Sequence, residues 1–198
     1  MTTRMELRAE LRLRLEDGAT PPLWDDAALD EAIAEGIRGY GRRVPREATA
    51  TIAASGGESS LPMPGIGRDR IARVIDPDGR ALPPLPASDD GDPAATGQAW
   101  RCWNETVLLA RPAAAGSWRI DYLAARTLPA DDATALDIVP GDEALVASLA
   151  LAAALRRRAT EDAKRGMPPL TAGLAAATQA AAERLFAARG RRARGGWL

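Results

Sequence analysis

The chain has 198 residues, a net charge of −1, no histidine and a single cysteine, Cys102. Without histidine the commonest general base and the commonest metal ligand are missing, and one cysteine allows neither an internal disulfide nor a thiolate zinc cluster. Near-neutrality excludes a molecule-wide attraction to nucleic acid or anionic membrane. Hydrophobic residues make up 46% and aromatics only 4%, a balance that points to alanine-rich helices packed closely together. No apolar run approaches the roughly 20 residues needed to span a bilayer. The opening MTTRMELRAELRLRLEDG alternates charge with leucine and has no signal-peptide core, so the expected compartment is a cytoplasm.

In chain order, Thr3-Arg4-Met5-Glu6 is a capping box, and Leu7, Leu11 and Leu15 form one helical stripe that Gly18 is expected to stop. After Pro21-Pro22, Asp25 is the expected N-cap of a second helix, with Trp24 and Leu29 placed as a hydrophobic staple. Leu29, Ile33, Gly36, Ile37 and Tyr40 share a face of that helix, and Gly41 and Pro45 are expected to end it. The period then changes from 3.6 to 2. Residues 47–54, 69–75, 99–103, 106–110 and 117–124 alternate like strands. Asp76–Gly79, Asn104-Glu105 and Ala113–Gly116 are the expected turns, and 83–98 is a Pro/Gly/Asp loop.

From Pro140 the pattern is helical again. Leu145, Val146, Leu149, Leu151 and Leu155 are spread so widely around 142–165 that this helix must be covered on more than one side, the expectation being by a neighbouring copy or another protein as well as by its own bundle. Gly166 stops it and Pro168-Pro169 start the last helix, in which Leu170, Leu174, Ala177, Ala181, Leu185 and Ala188 line one stripe. The expected fold is α+β, mainly α: a four-helix bundle built from both chain ends, with an inserted antiparallel β section. The divisions are 1–45, 46–139, 140–190 and a flexible docking tail, 191–198.

The chemistry-bearing motifs are weak. GIGRDR (65–70) lacks the third glycine of a dinucleotide fingerprint and opens no helix, and DPDG (76–79) and SDDGDP (88–93) lack the carboxylate spacing of a calcium loop. The usual nucleophilic triads cannot be built, and none of the 27 acidic residues is singled out as half of a carboxylate pair. No enzyme, transition metal or organic cofactor is expected. Arg156-Arg157-Arg158 reads as a solvated run that complements a helix dipole, ahead of a DNA contact. RGRRARGGWL (189–198) is different, with Arg189, Arg191, Arg192 and Arg194 followed by two glycines, Trp197 and Leu198. Four arginines without a compensating acid suit either phosphates or an acidic protein surface, Trp197 suits a pocket on a partner, and a tail of this composition is expected to be mobile when free.

The assembled pattern resembles the head–tail connector (adaptor) proteins of tailed bacteriophages. The resemblance rests on order and spacing: Trp24-Asp25, Leu29, Ala32-Ile33 and Tyr40 leading to Pro45; Ser60-Leu61-Pro62; Arg70–Val74; Trp100; Trp118–Tyr122 running into Leu128-Pro129; and Ile138–Pro140 opening the Ala/Leu-rich helix. MPGIG (63–67), the 83–98 loop and the Arg-rich tail depart from the shared pattern. The resemblance implies a virion neck protein without catalytic residues, present in the host cytoplasm before assembly. It also implies a ring, typically dodecameric, that sits under the portal protein and contacts downstream neck or tail proteins. Genomic double-stranded DNA would pass through its lumen without sequence-specific binding, and no membrane is involved. Another neck or tail-completion component, a DNA-binding regulator using the arginine segments, and a carboxylate hydrolase of unfamiliar type are the alternatives.

Overall fold

The structure, a computed structural model, describes residues 2–18, 22–63, 70–85 and 97–195, with side chains described through Gly190. GIGR and Asp69 of the 65–70 motif, SDDGDP, Trp197 and Leu198 lie outside the described residues. The chain divides into two compact units, residues 1–44 with 125–198, and residues 45–124. The first is helical and the second holds the strands, giving the α+β, mainly helical fold.

Helix α1 (Arg4–Arg14) starts on the capping box, with the Glu6 amide donating to the Thr3 hydroxyl at 3.2 Å and the Thr3 amide donating to the Glu6 carboxylate at 2.9 Å. Its stop is not Gly18. Glu16 takes the left-handed conformation at φ 54, the Glu16 amide donates to the Leu13 carbonyl and the Asp17 amide to the Arg12 carbonyl. That is a Schellman closure with a non-glycine residue, which costs about 1 kcal/mol or more. The buried Asp17 carboxylate secures it, accepting from the Leu23 and Trp24 amides and from Arg12. The side of α1 that carries Arg4, Arg8 and Arg12 is tied down by ion pairs. Arg4 meets Asp132 at 2.5 Å, Arg8 meets Asp30 at 3.1 Å and also Asp132, and Arg12 meets Asp26 at 2.7 Å.

Helix α2 (Asp26–Arg43) is capped by Asp25, whose carboxylate accepts from the Ala28 amide at 2.7 Å, and Trp24 and Leu29 are both buried as the staple requires. Gly41 lies inside this helix rather than ending it. A Cβ there would sit 3.2 Å from Cβ of Arg126 and 3.3 Å from its amide nitrogen, so glycine admits the 125–139 segment. Arg126 is buried, its Nε donating to the Val44 carbonyl at 2.7 Å and its Nη1 to the carbonyl and carboxylate of Asp137. Leu128, Leu136 and Ile138 join the helical core, so 125–139 packs with the helices, whereas the sequence reading places it with the strands.

Helix α3 (Glu143–Lys164) is the centre of this unit. Leu145, Val146, Ala147, Leu149, Ala150, Ala152, Ala153 and Ala154 are all buried. It is covered on several sides, as its pattern demands, but α1, α2 and helix α4 (Leu170–Gly195) of the same chain supply the cover. The α2–α3 approach is very close: a Cβ on Gly36 would stand 2.8 Å from the Ala150 amide nitrogen. Gly166 at φ 70 turns the chain, and α4 returns along α3.

The β unit has two antiparallel sheets. One runs β1 (Arg46–Ala54), β7 (Gly116–Ala124), β3 (Ile71–Ile75), β4 (Ala81–Leu82). The other runs β2 (Ser60–Pro62), β6 (Thr106–Leu109), β5 (Trp100–Trp103). Asp76–Gly79 and Asn104-Glu105 turn their hairpins as expected, the latter with φ 46 and 57. Ala113–Gly116 does not, because β6 and β7 belong to different sheets and this segment passes between them. Trp118, Ile120 and Val74 of the larger sheet form one buried cluster with Leu61, Val107 and Cys102 of the smaller.

Candidate docking surfaces of the helical unit

Three features of the helical unit bear on docking: the end of α4 and the arginine triplet of α3, which the sequence singles out, and the outward side of α4. The end of α4 is pinned by a polar and aromatic knot. Tyr40, fully buried, donates its hydroxyl proton to Asp142 Oδ2 at 2.7 Å and accepts from the Val139 amide at 3.2 Å. Burial first, then the hydrogen bond to Asp142, pushes the phenol up to about 12, so it stays a neutral donor. The same Asp142 oxygen accepts from Arg189 Nε at 2.7 Å. Asp142 stands at the N-cap position of α3 yet makes no side-chain cap, its carboxylate being engaged by Tyr40 and Arg189 instead. Phe186 stacks near Tyr40 with ring centroids 6.5 Å apart, the Arg43 guanidinium lies 4.5 Å above the Phe186 ring, and Arg43 also pairs with Glu183.

Arg189, grouped by sequence with the docking tail, is therefore joined to the start of α3 by an ion pair. Nothing local in RGRRARGGWL signals this, since its partner lies 47 residues away. Arg191, Arg192 and Arg194 fall within the last turns of α4, which runs to Gly195.

The triplet is held internally. Arg156 Nη2 meets Glu35 at 2.6 Å, Arg157 pairs with Glu31, and Arg158 meets Asp162 at 2.9 Å. Two of the three thus tie α3 to α2, and a row of three free cations for a phosphate backbone is not what this helix offers.

The outward side of α4 is the feature that sequence reasoning passed over. Ala175 and Ala182 are buried and Phe186 is partly so, hence that side faces the bundle. The stripe Leu170, Leu174, Ala177, Ala181, Leu185 lies on a flank, about a quarter turn around the helix from the buried side, with Leu170 77%, Leu174 60% and Leu185 40% exposed. A signal was present: from Met167 to Ala182 there is no charged residue. Beside the N-terminal half of the bundle, Leu23, Trp24 and Ala28 line an apolar groove of about 440 Å³, rimmed by Arg157, Arg158 and Glu161.

Among the described residues no group of three or more potential metal ligands converges, and no helix is long and apolar enough to cross a membrane. What the described helical unit presents is the exposed leucine stripe of α4 and the groove beside Leu23 and Trp24.

No curated protein matches the chain. The family model described as SU10 adaptor protein matches residues 2–197, which takes in both units and nearly all of the sequence. The chain belongs to the SU10 adaptor protein family, and is a structural phage adaptor.

Proposed function

We propose that this protein is the head–tail adaptor of a phage neck. Copies form a ring, typically dodecameric, beneath the portal, extend the DNA channel and join the head to downstream neck or tail proteins. The observation that carries this reading is the family match over residues 2–197. Two further features support it. A conduit for DNA works best without fixed phosphate contacts, each of which adds salt-dependent affinity, and here the net charge is −1 while Arg156, Arg157 and Arg158 are paired within the chain. The chain also ends its last helix on a basic segment followed by Trp197 and Leu198.

In this reading Arg189 fixes the root of the tail through Asp142, while Arg191, Arg192 and Arg194 latch onto carboxylates of the portal or an adjoining ring and Trp197 and Leu198 fill a pocket there. Burying the Trp197 side chain contributes roughly 1.5–3 kcal/mol per copy, and repetition around a ring turns a weak contact into a strong joint. The test uses DNA-filled heads from a phage lacking this protein. Added wild-type protein is expected to join them to tails, whereas protein lacking residues 195–198, or carrying Trp197→Ala, folds with an unchanged melting temperature and does not. Full joining by either variant overturns the role of the tail. Failure of the wild-type protein to bind the heads overturns the adaptor reading itself.

A further inference from the structure

We propose that the outward face of α4 is a contact surface for a second copy of this chain, seated in that copy's groove beside Leu23, Trp24 and Ala28. The proposal rests on the self-assembling reading above and names the surfaces through which copies meet.

The chemistry of the face restricts its occupant. Leu170, Leu174 and Leu185 stand exposed along a line of about 22 Å, at 1.5 Å per residue, and no charged side chain occurs from Met167 to Ala182. Phosphates or an acidic protein would find no cation on this stretch. A neutral apolar surface is what it fits, and the chain carries one itself. Leu23 is 60% exposed at the mouth of the groove, Trp24 and Ala28 line it, and its volume of about 440 Å³ is in the range that buries organic groups. The charges on its rim are engaged internally, Arg157 with Glu31, Arg158 with Asp162 and Glu161 with Lys164. The groove therefore asks for a neutral occupant, as the face does.

The two surfaces cannot satisfy each other within one copy. The groove is built on the α1–α2 connection, α2 and α3 and stands open, while the leucines, on a flank of α4 about a quarter turn from Ala175 and Ala182, stay exposed in the same copy. Each copy thus presents a face and offers a groove. Such a head-to-tail contact repeats from copy to copy and gives a ring when its rotation closes. Face-to-face packing of two α4 helices would stop at two copies and leave both grooves open. The strip, about 22 Å by about 10 Å, is well short of the roughly 800 Å² per partner of a stable pairwise interface. Association of the free protein is accordingly weak, and ring closure adds the rest.

The experiment is sedimentation of the full chain up to millimolar concentration, followed by disulfide trapping. Wild-type protein is expected to associate as concentration rises. Leu174→Glu and, separately, Leu170→Ser are expected to weaken association about tenfold or more, the effect of losing one buried leucine, with melting temperatures unchanged because both side chains are exposed. Protein carrying Leu174→Cys mixed with protein carrying Ala28→Cys is expected to form mixed disulfide dimers, while the native Cys102 stays buried and does not compete. A wild-type protein that is monomeric at millimolar concentration overturns the proposal, as does association unaffected by both substitutions. Disulfides formed by Leu174→Cys protein alone, without the Ala28→Cys partner, assign the face to α4–α4 packing and overturn the groove. The ring reading fails separately: if copies self-associate through this contact yet never bind the portal, the adaptor placement falls and the contact stands. If Leu174→Glu protein assembles on the portal like wild type, the contact falls and the placement stands.

Discussion

Helices α3 and α4 are both long and rich in alanine and leucine, and each has a long charge-free stretch, 144–155 in α3 and 170–182 in α4. In α3 most of that stretch, Leu145–Ala150 and Ala152–Ala154, is buried by the chain's own α1, α2 and α4, and its alanines let α2 approach until Gly36 touches the Ala150 backbone. In α4 only one side is used, by Ala175, Ala182 and Phe186, and the leucines point outward. A charge-free helical stretch signals contact on every side, but composition does not say whether the contact comes from the same chain or another one. A helix between two others has its contacts supplied in cis. An outer helix of the same composition has a face left over.

Substitutions at matched positions break this comparison most sharply. Leu145→Ala in α3, where the side chain is 4% exposed, is expected to cost about 2–5 kcal/mol, read as a lower denaturation midpoint. Leu174→Ala in α4 is expected to change monomer stability by no more than about 0.5 kcal/mol. Equal losses at the two sites would mean that α4 is as enclosed as α3.

The glycines give a smaller effect of opposite sign. Gly36→Ala pushes a Cβ against the Ala150 backbone and is expected to cost about 1–3 kcal/mol. Gly173→Ala meets nothing within 4 Å and is expected to gain about 0.5–1 kcal/mol, from the restricted unfolded chain and better helix propensity. Denaturant melts of both single variants check this.

Acid produces the smallest change, confined to the docking of α1. The hydrogen bonds from Arg12 and Arg8, respectively, hold the carboxyls of Asp26 and Asp132 below their ordinary range. A carboxylate with a depressed folded-state pKa stabilises fully above its unfolded value, near 4, and loses that contribution as pH falls through the folded value. Amide exchange in residues 4–14 is therefore expected to be insensitive to pH down to the ordinary carboxylate range, once corrected for intrinsic exchange, and to accelerate below it. Acceleration beginning near neutrality would contradict the assignment.

What could be read from sequence follows the range of the interactions. The capping box at Thr3, the N-cap at Asp25 and the turns at Asp76–Gly79 and Asn104-Glu105 are decided within a few residues, and they form as expected. Strand partners are set over long distances: β1 pairs with β7 from Arg46↔Ala124 to Ala54↔Gly116. That is why Ala113–Gly116 looked like a hairpin between neighbours that belong to different sheets. Gly18 lost its expected role to Glu16 because a side chain, Asp17, could hold the turn shut. Gly41 serves close packing against Arg126, which no local pattern reveals. On the candidate site, the basic run and the terminal aromatic were visible, but the Asp142 partner of Arg189 and the outward direction of the α4 leucines depend on how the four helices meet.

In the proposed function, copies of this chain assemble as an adaptor ring on the portal. The most direct measurement is the native mass of the portal assembly before and after addition of the protein. The expected result is a mass increase equal to a closed ring of adaptor copies, in one saturating step with no further growth, lost when residues 195–198 are removed. A portal mass that does not change, or one that grows without limit as protein is added, would contradict it.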